Sequence, residues 1–148
     1  MNKHLQRLID IIIPNSKKQY FKTQLTGDDQ LSINLYQSVF YQIFSNLIMN
    51  SFIHGFDDMA NSEIKIEYKL NDDQLTINYA DNGHGMPKEI LEKVFEPFVT
   101  AKRGSGGSAL GTHIIYNRVV QKLNGTLKCE SELGQGTLFK IIMPVTLC

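Results

Sequence analysis

Two neighbouring segments of the sequence alternate between apolar and polar side chains with a period of two. In residues 63–70, isoleucine, tyrosine and leucine alternate with glutamate and lysine, and residues 74–79 repeat the alternation after a turn at 71–73. The pattern predicts two antiparallel strands with one wet face and one dry face. A sheet of this kind must be covered on its dry face, so the chain needs helices on that side.

A long amphipathic helix is predicted just before these strands, from about Tyr36 to Phe56. Its apolar residues recur at intervals of three and four and form a stripe: Phe40, Ile43, Phe44, Leu47, Ile48 and Phe52. A polar row runs beside the stripe at intervals of four: Gln42, Asn46, Asn50 and His54. Carboxamide oxygens suit Mg²⁺, which shares its shell with water and phosphate oxygens. On spacing alone, a solvated helix face is the more ordinary explanation of such a row.

The remaining segments complete a two-layer arrangement. We expect a strand at 18–26, a short helix at Pro87–Val94 and a third helix at Thr112–Leu123. A closing hairpin is expected to pair residues 126–130 with 137–144. The predicted fold class is therefore α+β. Its architecture is a two-layer α/β sandwich with a mixed, mostly antiparallel sheet and helices on one face.

The length of the chain fits one such domain, because 148 residues can bury roughly 68–70% of the unfolded surface. Residues 1–14 show a short helical pattern that Pro14 stops, and we interpret them as a connector helix from an absent upstream domain. Residues 15–148 then form the domain itself. The chain is expected to be a C-terminal fragment of a larger protein.

Charge and cysteine content argue against several classes of function. Fifteen Lys and Arg balance fifteen Asp and Glu, so no nucleic-acid partner is expected. The apolar run Leu8–Ile13 has six residues. A membrane span needs about 20, so no membrane contact by this domain is expected. Cys129 and Cys148 are too few for a disulfide framework, and we predict a cytoplasmic domain.

Two glycine-bearing loops follow the predicted strands. Asp81, Gly83 and Gly85 suit a tight loop whose backbone approaches a ligand closely, although a hairpin turn has the same composition. Residues 102–111 contain four glycines and begin with Lys102 and Arg103. Glycines and cations ahead of a helix N-terminus suit phosphate binding, and a flexible surface loop is the alternative.

Each of these motifs is ambiguous alone, but their order is specific. The Asn-bearing helix, the Asp-x-Gly-x-Gly loop, a Phe-Glu-Pro-Phe turn at 95–98, the glycine-rich segment and a Gly-x-Gly-Thr hairpin at 134–137 follow in series. Over roughly residues 15–146 the chain resembles the catalytic and ATP-binding domain of sensor histidine kinases, in the superfamily of gyrase, the heat-shock chaperone and MutL. The resemblance implies a Bergerat-type nucleotide fold that binds ATP and Mg²⁺.

The resemblance also implies which positions bind the nucleotide. Asn46 and Asn50 match the N-box, with Asn50 as the expected Mg²⁺ ligand beside Asn46, and His54 matches the polar residue that faces the phosphates. Asp81 matches the acid that accepts a hydrogen bond from the adenine amino group, and Thr137 matches the threonine beside the adenine. The other matching positions lie in the glycine-rich boxes, the F-box and the segment before the third helix: Gly83, Gly85, Met86, Phe95, Phe98, Lys102, Arg103, Gly107, Leu110 and Gly111.

A mode of action follows from the same resemblance. In the ATPase branch of the superfamily, a Glu four residues before the Mg²⁺-binding Asn activates water, whereas this chain has Asn46, whose amide cannot accept a proton near neutral pH. The domain would instead position ATP for transfer of its γ-phosphoryl group to a histidine on a separate dimerisation domain. A response regulator would then receive the phosphate. His4 lacks the following acid and proline of a phosphoacceptor site, so the acceptor is expected outside this chain.

Three positions depart from the family pattern. Ala109 replaces a glycine, Thr112 replaces an apolar residue, and Ile53 stands where many relatives carry a phosphate-facing Lys. These departures leave open a degenerate, non-catalytic nucleotide-binding or docking module. A second alternative is an anti-sigma-factor-type serine kinase of the same superfamily, although such kinases usually carry Glu at the position of Asn46.

Overall fold

The computed structural model describes residues 7, 21–27, 33–34, 37–51, 62–95 and 111–147. The elements within these ranges, in chain order, are β1 Phe21–Thr26, β2 Ile33–Asn34, α1 Gln37–Asn50, β3 Ser62–Asn71, β4 Gln74–Asp81, α2 Lys88–Leu91, α3 Gly111–Tyr116 with a π-helical continuation over Asn117–Lys122, β5 Thr126–Glu132, β6 Gly136–Pro144 and β7 Thr146–Leu147. The predicted connector, residues 1–14, lies outside the described residues apart from Arg7.

Five of the strands form one sheet in the order β1-β3-β4-β6-β5. β1 pairs with β3 in parallel, and the other three pairings are antiparallel. β2 and β7 form a separate antiparallel pair of two residues each. Because α1 and α3 share a hydrophobic core with one face of the sheet, the structure confirms the predicted α+β sandwich with helices on one face.

A tight turn sets the register between β3 and β4. Asp72 adopts a left-handed conformation with φ 55°, and Asn71 pairs with Gln74 across the turn. The register continues to the pair Ile66–Tyr79, whose side chains are both fully buried. Since side chains alternate between the two faces, this register places the apolar residues of both strands on the helix side.

The hydrophobic core lies between this sheet face and the helices. Helix α1 contributes Phe40, Phe44 and Leu47, each at most 2% exposed. Ile115 of α3 and Val119 of the π-helical segment are fully buried against them. Burial of a Leu or Phe side chain contributes roughly 1.5–3 kcal/mol. Packing therefore stabilises α1 on the sheet more than helix propensity does.

The helices differ in extent from the sequence predictions. α1 is helical over Gln37–Asn50, and the predicted continuation falls in 52–61, outside the described residues. α2 is shorter than predicted, because beyond Leu91 the N–H of Lys93 bonds three residues back, at 3.1 Å, instead of four. None of the helices that the structure describes is long and apolar enough to cross a bilayer.

The third helix changes its winding near the middle. It is α-helical over Gly111–Tyr116 and π-helical over Asn117–Lys122, where the N–H of Leu123 donates to a carbonyl five residues back at 3.0 Å. Asn124 then takes a left-handed conformation with φ 56° and ends the helix. The hairpin that follows differs slightly from the prediction: β5 runs two residues further, to Glu132, and β6 begins one residue earlier, at Gly136.

Candidate functional site

Three polar side chains stand in one row across the end of the sheet. Ser131 of β5 pairs with Thr137 of β6, and Thr137 pairs with Asp81 of β4. In the next row of the sheet, Phe139 and Tyr79 are buried core residues on the same face. The polar row therefore borders the apolar core on the side that the helices cover, where a ligand can contact both.

Asp81 is held by donors on both of its carboxylate oxygens. Ser51 Oγ donates to Oδ2 at 2.7 Å, and the backbone N–H of Gly83 donates to Oδ1 at 3.0 Å. A further hydrogen bond comes from the backbone of Thr137. Burial raises the pKa of Asp81, while the bonds from Ser51, Gly83 and Thr137 act in the opposite direction by favouring the ionised form. The site thus presents an oriented hydrogen-bond acceptor at the end of a central strand.

The serine that contacts Asp81 belongs to a buried hydroxyl network. Ser51 is 1% exposed and directly follows α1, and its Oγ lies 2.8 Å from the hydroxyl of Tyr79. That hydroxyl also donates to the carbonyl oxygen of Leu47 at 3.2 Å. Burial, followed by the negative charge of Asp81, raises the pKa of Tyr79 well above its ordinary value, so the phenol stays neutral. The end of α1 is thereby tied to β4.

The loop after Asp81 packs backbone against backbone on the β5–β6 hairpin. Gly85 has φ 75°, and a Cβ built on it would collide with the carbonyl oxygen of Glu132. The N–H of Gly134 donates to the carbonyl of His84 at 2.8 Å. Gly85 is therefore required both for its positive φ and for its close approach, as its place in a ligand-binding loop predicts.

Ser131 joins this loop to the polar row. Its Oγ accepts the N–H of Met86 at 2.8 Å and lies 2.9 Å from both the carbonyl of Gly136 and Oγ1 of Thr137. The hydroxyl therefore fixes Met86 relative to Thr137. Ser131 was not among the predicted site residues, although its position in β5, two residues after Cys129 and therefore on the same face of the strand, could have identified it.

The polar row of α1 divides into two parts. Gln42 Oε1 accepts a hydrogen bond from Arg118 Nε at 2.6 Å, which ties α1 to the third helix. Asn46 Nδ2 donates to the backbone carbonyl of Gln42 at 2.7 Å, so its Oδ1 is the end of the amide left as an acceptor for a ligand. Asn50 is half-buried, lies one helical turn after Asn46 and directly precedes Ser51 in the chain.

Asn46 and Asn50 have the donor chemistry that Mg²⁺ requires. Two carboxamide oxygens one helical turn apart suit a hard cation that keeps waters and phosphate oxygens in its shell. In the part of the chain that the structure describes, no group of three His, Cys, Asp or Glu side chains is placed to hold a metal by itself. Any Mg²⁺ held by these two residues would need further ligands from a bound nucleotide or water.

Phe95 lies in an aromatic cluster behind the site. Its ring centroid is 5.5 Å from Tyr116 and 6.4 Å from Phe139, and its carbonyl contacts His113 Nδ1 at 3.0 Å. Together with Cys129, these residues extend the core toward the polar row. Phe95 is the first residue of the Phe-Glu-Pro-Phe motif, and its described ring contacts are with the core and with Tyr116 beside it.

The structure brings five of the predicted site residues together: Asp81, Gly83, Gly85, Met86 and Thr137. Asn46 and Asn50 lie on α1, which ends directly before the Ser51 that bonds to Asp81, and Gly111 is the first residue of α3. The remaining predicted positions lie outside the described residues: His54, Phe98, Lys102, Arg103, Gly107 and Leu110. Ser51 and Ser131 are the two polar side chains of the site that the sequence analysis did not identify.

A mixed sheet covered on one face by α1 and α3, with an acid and a threonine paired at the ends of its central strands, has the architecture of the Bergerat-type ATP-binding fold. The family model of histidine kinase-, DNA gyrase B- and HSP90-like ATPases matches residues 36–147, and the chain belongs to this family. The chain carries the ATP-binding domain of the sensor histidine kinase type.

Named relatives in sequence are sensor kinases. Sensor kinase CckA of Brucella abortus is 40% identical over 72 residues, which are 49% of this chain and 8% of CckA. The histidine-protein kinase ArlS of Staphylococcus aureus is 33% identical over 126 residues, or 82% of this chain and 27% of ArlS. The chain thus spans about a quarter or less of the length of these curated relatives.

Solved structures of histidine kinases share the fold. The nucleotide-free catalytic domain of histidine kinase ThkA superposes with a TM-score of 0.79 at 21% identity, covering 97% of this chain and 91% of that one. The mycobacterial sensor histidine kinase MprB gives 0.76 at 18% identity, covering 100% of this chain and 97% of that one. Full-length ShkA in complex with AMPPNP gives 0.79 at 20% identity, covering 99% of this chain and 30% of ShkA.

Proposed function

We propose that this chain is the ATP-binding catalytic domain of a two-component sensor histidine kinase. It binds Mg²⁺·ATP and presents the γ-phosphoryl group to a histidine on a dimerisation domain of the same kinase, and a response regulator then receives the phosphate. The observation that carries the proposal is the carboxylate of Asp81, held on both oxygens by Ser51 and Gly83 beside Thr137. We propose a cytoplasmic location for the domain.

In this proposal, the polar side chains at the end of the sheet, Asp81, Thr137 and Ser131, form the adenine subsite. The Asp81 carboxylate keeps acceptor capacity after its bonds to Ser51 and Gly83, and the exocyclic amino group of adenine is a donor that this capacity fits. A guanine presents a carbonyl at the same ring position, which would meet the carboxylate as a second acceptor. The apolar edge of the core beside the row suits the face of the base.

The phosphates lie toward α1 in this proposal, where Asn46 and Asn50 would hold Mg²⁺. The ion, when bound, neutralises charge on the phosphate oxygens. The side chains of this chain bind and orient the nucleotide, and Asn46 offers an amide where hydrolytic relatives have a carboxylate. Because an amide cannot take a proton from water near neutral pH, the domain alone is expected to turn ATP over slowly. The same amide disfavours the anti-sigma-factor-type serine kinase alternative.

Calorimetric titration with Mg²⁺·ADP and Mg²⁺·GDP tests the proposal. We expect the wild-type chain to bind ADP and to reject GDP, and Asp81→Asn to weaken ADP binding by at least about tenfold through loss of a charged acceptor. Asp73→Asn is the matched control, since it removes the same charge from an exposed residue of the β3–β4 turn. Phosphotransfer to an added dimerisation domain is the second measurement.

The outcomes separate the alternatives. Binding of ADP without phosphotransfer to an added histidine-bearing domain would favour the non-catalytic docking module. Failure of the wild-type chain to bind either nucleotide would contradict nucleotide binding itself. Equal effects of the Asp73 and Asp81 substitutions would show that the carboxylate of Asp81 has no specific role.

A further inference from the structure

Among the residues whose burial is described, Ser51 is the one classed as polar that is buried, with 1% of its surface exposed. It directly follows α1, where its neighbours Leu47 and Ile48 are core residues at 0% and 1%. A hydroxyl in such a place is retained only if it is hydrogen-bonded, because desolvation disfavours an unpaired polar group. The two partners of Ser51 among the described residues are both on β4, at Tyr79 and Asp81.

The two contacts give the Ser51 hydroxyl a defined direction. An ionised Asp81 has no hydrogen to donate, so its Oδ2 can act only as an acceptor. The single hydrogen of the Ser51 hydroxyl therefore goes to the carboxylate, at an oxygen–oxygen distance of 2.7 Å. The single hydrogen of the Tyr79 hydroxyl is then shared, as a three-centre bond, between Ser51 Oγ at 2.8 Å and the carbonyl oxygen of Leu47 at 3.2 Å. Tyr79 thus orients Ser51, and Ser51 orients Asp81.

The Asp81 carboxylate has two backbone donors besides Ser51: the N–H of Gly83, at 3.0 Å from Oδ1, and the backbone of Thr137. The terminal torsion of Asp is broad, so the plane of the carboxylate depends on the donors that hold each of its oxygens. Ser51 donates to Oδ2 at 2.7 Å and so holds the oxygen opposite the Gly83 contact. Orientation matters here because a hydrogen bond weakens steeply when its angle departs from linearity.

We propose that Ser51 is a positioning residue of the adenine subsite, whose hydroxyl holds the Asp81 carboxylate in the plane that receives the 6-amino group of the base. This inference rests on the proposed function, since it assumes that the site binds an adenine nucleotide. It adds a specific consequence: the contribution of the Ser51 hydroxyl depends on the amino group of the ligand. A serine that served only to stabilise the end of α1 would affect every purine nucleotide equally.

The test compares ADP with purine riboside 5′-diphosphate, which lacks the 6-amino group, on the wild-type chain and on Ser51→Ala. We expect Ser51→Ala to weaken ADP binding about tenfold and to change binding of the amino-free analogue less than about twofold. The preference for ADP over the analogue therefore falls about fivefold or more, and this ratio of ratios isolates the coupling between the hydroxyl and the amino group.

Two further variants support the comparison. Ser45→Ala is the matched control, because Ser45 lies on the same helix and its Oγ bonds to the carbonyl of Gln42, away from Asp81. We expect it to leave both affinities unchanged. Ser51→Cys keeps nearly the volume of serine but has a weaker donor, so this variant replaces Ser51→Ala if the alanine variant unfolds. We expect its preference for ADP over the analogue to lie between the preference of the wild-type chain and that of Ser51→Ala.

The results separate this inference from the proposed function. If the wild-type chain binds neither nucleotide, the proposed function fails and the inference fails with it. If the wild-type chain prefers ADP but Ser51→Ala and Ser51→Cys keep the full preference, the inference alone is overturned. An equal loss of affinity for both nucleotides also overturns it, because that result assigns Ser51 to the structure of the helix end.

Discussion

The hydroxyl of Tyr79 lies 2.8 Å from Ser51 Oγ and 3.2 Å from the carbonyl oxygen of Leu47. A residue in the middle of the sheet thereby contacts both the last turn of α1 and the serine that holds Asp81. The part of α1 that carries Asn50 is tied to the strand that carries the proposed adenine-binding acid. The metal and adenine subsites of the proposed function are therefore built on one hydrogen-bonded unit.

Tyr79→Phe should destabilise the chain by about 1–2 kcal/mol, because the Leu47 carbonyl and Ser51 Oγ lose a buried donor while the ring still fills its place. Urea denaturation measures the change in the free energy of unfolding. Tyr41→Phe is the control, since Tyr41 is 42% exposed, and we expect a change within about 0.5 kcal/mol. Equal effects of the two substitutions would contradict a structural role for the buried hydroxyl.

Gly136→Ala should be far more damaging than Gly134→Ala. Gly136 has φ 98°, and a Cβ there would collide with the backbone carbonyl of Asp81, so we expect a loss of about 2 kcal/mol or more. Gly134 has φ 83° but open space around it, so only the conformational cost of about 1 kcal/mol remains. Thermal unfolding of the two variants measures the difference. Similar losses would show that the close approach to β4 is unimportant.

The stability of the chain should depend on pH through Asp81. Burial raises the pKa of Asp81 in the folded state above its ordinary value of 3.8, so folding favours the protonated form. The stabilisation is complete below pH 3.8 and is lost as the pH rises through the raised pKa. The wild-type chain should therefore lose stability relative to Asp81→Asn over that interval.

Urea denaturation of both proteins across the acidic range measures this difference, and the titration of other groups cancels between them. A difference between wild type and Asp81→Asn that stays constant with pH would contradict the raised pKa.

Cys129 should be unreactive in the folded chain. Burial, together with the negative charges of Asp81 and Glu130, raises the pKa of Cys129 to about 12, against an ordinary 9.0. At pH 8 the thiolate population is then about a thousandfold lower than in the unfolded chain, so alkylation is slow. Iodoacetamide labelling of Cys148→Ser with and without denaturant measures the rate at Cys129 alone. Comparable rates in the two states would contradict this prediction.

Short-range patterns predicted most of the fold. The alternation over residues 63–79 identified β3 and β4, because side chains on a strand alternate between two faces wherever the strand lies. The apolar stripe of α1 was equally local. The π-helical winding after Tyr116 was not predicted, since the apolar spacing of a single turn does not distinguish it from an α-helix.

The candidate site was only partly predictable. The series of motifs identified Asp81 and Thr137, and the structure pairs them across β4 and β6. The motifs did not identify Ser51 or Ser131, whose polar contacts reach 30 and 45 residues along the chain to Asp81 and Met86. Phe95 was expected at the nucleotide, and its described contacts are with Tyr116 and Phe139 in the core. Tyr116 lies on α3 and Phe139 on β6, so these contacts depend on how the third helix packs on the sheet.

The apolar faces of the strands and helices, and the positions where glycines and an acid follow a strand, were predictable from the sequence because these properties depend on neighbouring residues. The buried network of Ser51, Tyr79 and Asp81, and the contact of Ser131 with Met86, depend on the folded arrangement of the chain. Hydrogen bonds require atoms within about 3 Å. The order of strands in the sheet and the position of α1 on the sheet bring residues that are far apart along the chain to within this distance.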